Sequence, residues 1–471
     1  MKETKDFQSN INEIQSILKL KESFDIIERI LIIGGKKAYL YYIDGFTKDD
    51  LLQRIFTDFF DITTEKMNSL KTSMDFIENC VPYVEVGEET NFDTIITFVL
   101  SGQVAMFIEG YSSCIMLDSR TYPARSTQEP EKEKVLRGAK DGFVETIVFN
   151  TALIRRRIRD PKLIFEMFSV GELSRTDVAI GYLSGSEDKK ALAVIKEKLK
   201  NLKVKSLTMS DQSIVEAITG GSLINPFPKV RYTERPDVAA AHILDGKIIM
   251  IVDNSPSAII LPTSFFDFLQ DVDDYYLPVV TGNVLRFTRN LIFLATFLIT
   301  PVFLLLTQNP NLLPQSLQFL IPIDEFAIPL IWQFLLLELS IDGLKLASLN
   351  TPSSLGMSLS VIGGLVLGEF AVKTGYFIPQ SILYMAVVAL GSFSQPSIEM
   401  GYAVKFMRIM LLVLVSIFNI PGFIIGLILT LCFIGFTKTL TGEHYLYPLI
   451  PLNIKELTHL VFRTRLKSSK K

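Results

Sequence analysis

The chain has 471 residues, about three times a typical domain, so more than one folding unit is expected. Its averages are ordinary, 48% apolar and 21% charged with a net charge of −3, but the charge is unevenly spread. Residues 1–285 hold 34 Lys and Arg against 42 Asp and Glu, residues 286–471 hold 13 against 8, and only 14 of the 167 residues in 286–452 are charged. A soluble domain needs charge over its whole surface, so the second half is expected to be a membrane domain, and purely soluble readings are excluded.

So small a net charge suggests no nucleic-acid partner. Cys80, Cys114 and Cys432 form no Cys-x-x-Cys pair, and His242, His444 and His459 form no cluster, so neither disulfides nor a metal site is expected. Phosphate-loop, dinucleotide, zinc-protease and nucleophile-elbow motifs are all missing, so neither a cofactor nor an enzymatic role is expected. Met1 to Asp6 lead into no apolar signal core, so the N-terminal part is expected to remain in the cytoplasm.

Taken in chain order, residues 1–25 hold a mixed-charge helical stretch that reads as a surface helix or adaptor arm. From Arg29 to Asp44 two β-rich runs flank Gly34-Gly35-Lys36-Lys37, a hairpin signal. Leu51, Leu52, Ile55, Phe56 and Phe59 have helical spacing. A short helix follows over Asp93–Leu100, then strands over Val104–Ile108 and Ser113–Leu117. Shifting this last unit by 144 residues places Asp93, Leu100, Gly102, Ser112 and Ile115 on Asp237, Leu244, Gly246, Pro256 and Ile259. Tyr42–Gly45 matches Tyr182–Gly185 at a shift of 140. The expected fold is thus an α+β cytosolic head of two duplicated α/β subdomains, 26–145 and 146–278, followed by an α-helical multi-pass membrane domain.

Between the copies, Tyr122–Lys134 is a polar, proline-punctuated connector. Arg155, Arg156, Arg157 and Arg159 form a basic cluster. It is suited to pairing with acids of a neighbouring subunit or of its own domain, to lipid headgroups, or to local pairs with Asp160 or Glu166. Thr233-Glu-Arg-Pro-Asp237 looks chemical, but Pro236 before a helical run marks a helix start with acids at its N-terminal dipole.

The membrane domain, 279–452, contains charge-free stretches at 290–323, 346–368, 374–398 and 409–437, and a shorter one at 326–337. Expected elements are 291–307, 326–344, 355–372, 376–393 and the pair 407–419/422–437, in which Asn419-Ile-Pro-Gly422 is either a kink or the tip of a hairpin. That makes four to six crossings. Arg286 and Arg289 precede the first span, and the basic tail, 453–471, closes the chain, so both ends are expected in the cytoplasm and the crossings are even in number. Glu338 and Asp342 are carboxylates on one face of a membrane helix, with Lys345 nearby. Along 355–372, Met357, Val361, Gly364, Leu365 and Gly368 form a stripe leading to Glu369. It suits either a gated cation pore or the close packing of small residues.

Several stretches together resemble the A-subunit family of GerA-type spore germination proteins: Arg137–Glu145, Asn150–Asp160, Asn225–Asp237, Phe265–Gln270 and Asp274-Tyr-Tyr276. Within it, Arg231–Ala239 and Asp253–Ser257 are similar to the stage V sporulation protein AF branch. The resemblance implies a multi-pass protein of the spore inner membrane that forms a homo-oligomer around a channel releasing monovalent cations. It also implies other spore membrane germination proteins as partners: B- and C-type subunits in a germinant receptor, or another membrane partner if the chain amplifies the response. Membrane lipid is a further expected partner. A secondary transporter and a non-conducting scaffold or signalling subunit are the alternatives.

Overall fold

The computed structural model describes residues 7–121, 133–135, 137–220, 224–322, 327–350, 363–364, 369 and 371–463. The chain divides into two compact units: a head of residues 1–221 and 230–263, and a helical unit of residues 222–229 and 264–471.

In the head, Ile26–Ile33 (β1) and Lys36–Ile43 (β2) pair antiparallel in full register, from Ile26 opposite Ile43 to Ile33 opposite Lys36. The two-residue turn needs positive φ at both positions, and Gly34 (52°) and Gly35 (86°) supply it without a Cβ penalty. Asp49–Phe60 (α2), Thr64–Ser69 (α3) and Ser73–Cys80 (α4) follow, then Val86–Glu89 (β3), Phe92–Leu100 (α5), Val104–Ile108 (β4) and Cys114–Leu117 (β5). The sheet order is β1-β2-β4-β5-β3. One face carries Phe56, Phe59 and Phe76 of α2 and α4. The other carries α5 and Phe7–Leu18 (α1), whose Ile11, Ile14 and Leu18 are fully buried. The N-terminal arm is therefore part of the head core. Its apolar stripe finds Ile26, Tyr41 and Ile43, a gain that a free surface helix would forgo.

The second half of the head repeats this plan. Ile147–Arg157 (α6) leads to Leu163–Val170 (β6), Thr176–Leu183 (β7), Lys189–Lys200 (α7), Ser210–Thr219 (α8), Arg231–Thr233 (β8), Pro236–Leu244 (α9), Ile248–Val252 (β9) and Ala258–Leu261 (β10). Its sheet order, β6-β7-β9-β10-β8, is the same. The 144-residue offset carries α5, β4 and β5 onto α9, β9 and β10 residue for residue, and the 140-residue offset carries β2 onto β7.

A buried ion pair joins the halves. Arg155, 0% exposed, donates from Nε to Asp25 Oδ2 (2.8 Å) and from Nη2 to Oδ1 (3.0 Å), and reaches the carbonyls of Asp160 and Leu163. Ser23 Oγ donates to Asp25 Oδ1, and the Phe24 and Phe165 main chains bond across the joint. Every group of this desolvated cluster has a partner, which is the condition under which burying a charge is tolerable.

In the helical unit, Asp273–Tyr276 (α10) is followed by Val279–Gln308 (α11), Leu330–Asn350 (α12), Pro379–Phe393 (α13), Ile398–Phe436 (α14) and Ile454–Val461 (α15). Asn419 (φ 55°, ψ −129°) breaks α14, and the two limbs fold back on each other. A Cβ on Gly426 would lie 3.5 Å from the Leu411 Cα, 15 positions earlier, whereas a continuous helix would hold them about 22 Å apart. A Cβ on Gly422 would strike the Leu414 carbonyl. Of the two sequence readings, the hairpin holds. Its tip meets the end of α11, where Asn309 and Asn419 exchange side-chain amide bonds. Phe303 of α11 packs on Phe334 of α12 and Tyr384 of α13. Farther down, the Thr296 carbonyl is tied through a shared arginine to Glu338, and Thr296 itself lies against Gly391. Both α12 and α13 thus run antiparallel to α11. Asn350 and Pro379 lie at opposite ends of the bundle.

The boundary expected at 278 falls earlier, because Phe265 and Phe268 join the ring cluster around Tyr445, with Phe227 from the 222–229 excursion. The segment 453–471 does not start as a free tail. Arg286 donates to the Leu460 carbonyl (2.9 Å), and the Asn283 side chain exchanges hydrogen bonds with the Arg463 main chain.

Removing one partner of a buried pair strands the other. Asp25→Ala is expected to cost about 3–5 kcal/mol and to lower the thermal midpoint of the purified full chain. The double change Asp25→Leu with Arg155→Leu should recover most of that loss.

Candidate functional site

The helical unit holds a cluster of four charges between α12 and α14. Arg408, 3% exposed, donates from Nε to Glu338 Oε1 (2.8 Å), again from Nη2 to the same oxygen, and from Nη1 to the Thr296 carbonyl (2.8 Å). Lys405 bridges the two acids, 3.5 Å from Glu338 and in contact with Asp342. Spacing explains the match. Glu338 and Asp342 are four apart on α12, Lys405 and Arg408 are three apart on α14, and both steps keep side chains on one helical face. The cluster is neutral, and it ties three helices together. The sequence reading named its acids and neither of its bases, although Arg408 falls inside the expected element 407–419. Two acids and two bases at helical spacing in separate apolar segments were the available signal.

Around this centre the bundle is inside out for a water-soluble protein. Gln333 is fully buried, donating to the Ile328 carbonyl and accepting from the Ile378 main chain and Ser381. Phe287, Leu291, Leu390, Ile417 and Leu431, by contrast, are exposed. Polar groups inside and apolar groups outside is the pattern of helices solvated by hydrocarbon. Val279–Gln308 and Ile398–Phe436 are long and apolar enough to cross a membrane.

The other sequence-derived residues fall as follows. Met357, Val361, Leu365 and Gly368 lie outside the described residues. Gly364 is exposed, and Glu369 is exposed and paired with Lys373 at 2.5 Å. Lys345 rests over the rings of Phe393 and Tyr402 and not on the acids beside it. Of the basic cluster proposed for subunit contacts, Arg155 is consumed by Asp25, and Arg157 by Asp141 (2.6 Å), both within the chain. For these two the acids are internal, and neither Asp160 nor Glu166 supplies the carboxylate. Arg156 and Arg159 are exposed. Arg286 and Arg289 are also withdrawn, both bonding the fully buried Asp274.

Residues 122–132 of the connector lie outside the described residues, but Glu133 at its end turns inward. It accepts from Thr233 Oγ1 (2.6 Å) and the Glu234 main chain (3.0 Å), while Arg235 pairs with Asp237 and Pro236 opens α9. The Thr233–Asp237 motif is thus a helix start bound to the connector. Among the described residues no group of three or more His, Cys, Asp or Glu is placed to hold a metal ion.

The Bacillus/Clostridium GerA spore germination protein family model matches residues 12–471. The chain is 39% identical over 442 residues to stage V sporulation protein AF of Bacillus subtilis (strain 168), covering 94% of this chain and 89% of that protein. It is 29% identical to spore germination protein A1 of the same organism, covering 100% of this chain and 97% of that one. Among solved structures, the N-terminal domain of the A subunit of the Bacillus megaterium spore germinant receptor GerK3 is similar at 24% identity and a TM-score of 0.40, covering 56% of this chain and 98% of that one.

Two expectations follow from the geometry. Arg408→Leu or Glu338→Leu alone should cost about 3–5 kcal/mol, read as a lower thermal midpoint and a smaller monodisperse fraction of the full-length protein in detergent. The double Leu variant should regain most of it. Separately, burial pushes the Glu133 carboxyl up, against the pull of Arg231, Thr233, Glu234 and Arg235. A carboxyl raised in the fold leaves stability highest below its unfolded value, with a loss as pH rises through the folded one. Glu133→Gln should therefore flatten the decline of the thermal midpoint as pH rises out of the ordinary carboxylate range.

Proposed function

Because the chain belongs to the GerA family of spore germination proteins, we propose that it is a non-enzymatic subunit of the germination machinery whose helical unit crosses the spore inner membrane. The observation that carries this reading is the inside-out bundle: exposed Phe287, Leu390 and Leu431 around buried Gln333, Glu338 and Arg408. Both chain ends are cytoplasmic in this reading, as is the head. The described crossings are α11, α12, α13 and the two limbs of α14, and an even number calls for one more in the chain between Asn350 and Pro379. The basic segment after 453 sits with Arg286 and Arg289 on the cytoplasmic side.

The finer part of the proposal is that several copies assemble around a gated path for monovalent cations, lined from the Gly-rich stretch that leads to Glu369. Two things support this choice. Glu338, Asp342, Lys405 and Arg408 are paired with one another, which speaks against their cluster as the conducting path. The stretch between Asn350 and Pro379 begins and ends at opposite ends of the bundle. A scaffold reading also has an observation in its favour, since the same neutral cluster serves assembly equally well. The partners proposed are further copies of the chain and other spore membrane germination proteins, as the names of the relatives suggest.

Potassium release from germinating spores carrying Met357→Ala, Val361→Ala, Leu365→Ala or Glu369→Gln tests the path. Graded changes in release at normal protein level and assembly are expected. Unaltered release from fully assembled variants would leave the scaffold reading in place.

A further inference from the structure

The chain after the second limb of α14 leaves a run of apolar side chains in the open. Leu449, Ile450, Leu452, Ile454, Val461 and Phe462 are all exposed. Ile454 and Val461 stand seven apart on α15, so they share one edge of the helix, while Lys455 and Glu456 point elsewhere. The segment is tied down at both ends. Asn453 caps the helix by accepting from the Glu456 main chain, and Arg286 of α11 donates to the Leu460 carbonyl at 2.9 Å. Just beyond, Arg463 donates from its main chain to Asn283 Oδ1 (2.7 Å) and from Nη1 to the Asp274 carbonyl (2.7 Å), its guanidinium over the Tyr275 ring. These bonds set its height. Asn283 and Arg286 precede the charge-free stretch at 290 by seven and four residues, about 6–10 Å along the helix axis. On the same turns of α11, Val284 and Phe287 are exposed too. The open apolar edge of α15 therefore stands where α11 passes from charged to charge-free sequence.

We propose that Leu449–Phe462 is an interfacial foot, an amphipathic segment that docks on an anionic lipid surface at the cytoplasmic side of the bilayer. Its apolar side chains enter among the acyl carbons nearest the headgroups, and its bases meet the lipid phosphates. The proposal rests on the membrane reading of α11, and two observations select lipid as the partner. The first is continuity. On that reading Val284 and Phe287 face hydrocarbon, and the segment bonded to the same turns of α11 exposes the same kind of side chain. The second is charge. Residues 453–471 carry Lys455, Arg463, Arg465, Lys467, Lys470 and Lys471 against Glu456 alone, of which 464–471 lie outside the described residues and enter by composition only. Bases at this height are drawn to anionic headgroups. A helix with an apolar edge and basic neighbours is the form that lies in the headgroup plane.

Fluorescence quenching of the full-length protein in nanodiscs tests it. Trp332 is the one tryptophan of the chain, so Trp332→Phe gives a dark background. Into it go Phe462→Trp, Ile454→Trp and, on α11, Phe287→Trp, each at a side chain that is already exposed. The lipids carry bromine on the acyl carbons nearest the headgroup, as phosphatidylcholine alone or mixed with phosphatidylglycerol. Phe462→Trp and Ile454→Trp should both be quenched, about twofold more strongly when phosphatidylglycerol is present. Changing Arg465, Lys467, Lys470 and Lys471 together to Gln should abolish that preference. If neither foot variant is quenched while Phe287→Trp is, the proposal is overturned, and a second copy or another protein covers the segment. Quenching indifferent to phosphatidylglycerol, or a preference that survives the four Gln changes, overturns it as well. If all three variants stay unquenched, the membrane reading fails and the foot with it. If Phe287→Trp alone stays unquenched, α11 does not cross and the foot stands by itself.

Discussion

A guanidinium taken out of water needs back the hydrogen bonds it loses, and four buried arginines of this chain regain most or all of theirs, Arg286 keeping one Nη2 without a partner among the described residues. Arg155, Arg235, Arg286 and Arg408 are each nearly or wholly buried. Each takes a carboxylate and at least one carbonyl: Asp25 with Asp160 and Leu163, Asp237 with Glu133 and Ala139, Asp274 with Leu460, Glu338 with Thr296. Arginine suits the task because its planar fork presents five donors in fixed directions. Every one of these sets reaches more than a hundred positions along the chain, so they fix which distant segments meet. Apolar surface alone would stabilise the same elements with much less say over their pairing.

Close approach of helices is the other device. Gly391 admits the Thr296 side chain of α11, and Gly422 and Gly426 let the limbs of α14 touch at backbone distance. Where helices gain little from expelling solvent, contacts of this kind and buried amides such as Gln333 carry the association. Small residues and arginine sets divide the work: glycines set how near two helices come, and the charged groups set at what height they stop.

Local pattern was legible in the sequence, and distant partnership was not. Gly34-Gly35 between two β-rich runs named its own hairpin, Pro236 named its helix start, and the 144-residue offset gave the second copy its strands. Each of these is written within a few residues, or in the repetition of such a stretch. The partner of Arg155 could not be found this way. Asp25 precedes it by 130 positions, and the nearer Asp160 lends only its main chain. Lys405 and Arg408 went unnamed because nothing local to them shows a partner; the acids they meet lie on the facing helix, more than sixty positions away. The head boundary was set too late for a related reason. Phe265 and Phe268 are apolar wherever they go, and it is Tyr445, far down the chain, that draws them into the helical unit.

If the helical unit is the membrane domain proposed above, the fold-back of α14 bears on how it enters a bilayer during synthesis. A single span must leave whatever follows it on the far side, whereas a helical hairpin returns its end to the side it came from. On the proposed membrane reading, what this hairpin has to carry across is the short corner at Asn419-Ile-Pro-Gly422, and no charge resists it, since residues 409–437 are free of Asp, Glu, Lys and Arg. The corner carries one amide side chain, and Asn309 receives it on arrival. The limbs can therefore go in together, as a closed pair whose main-chain groups are already satisfied, with α11 as the template that the corner finds.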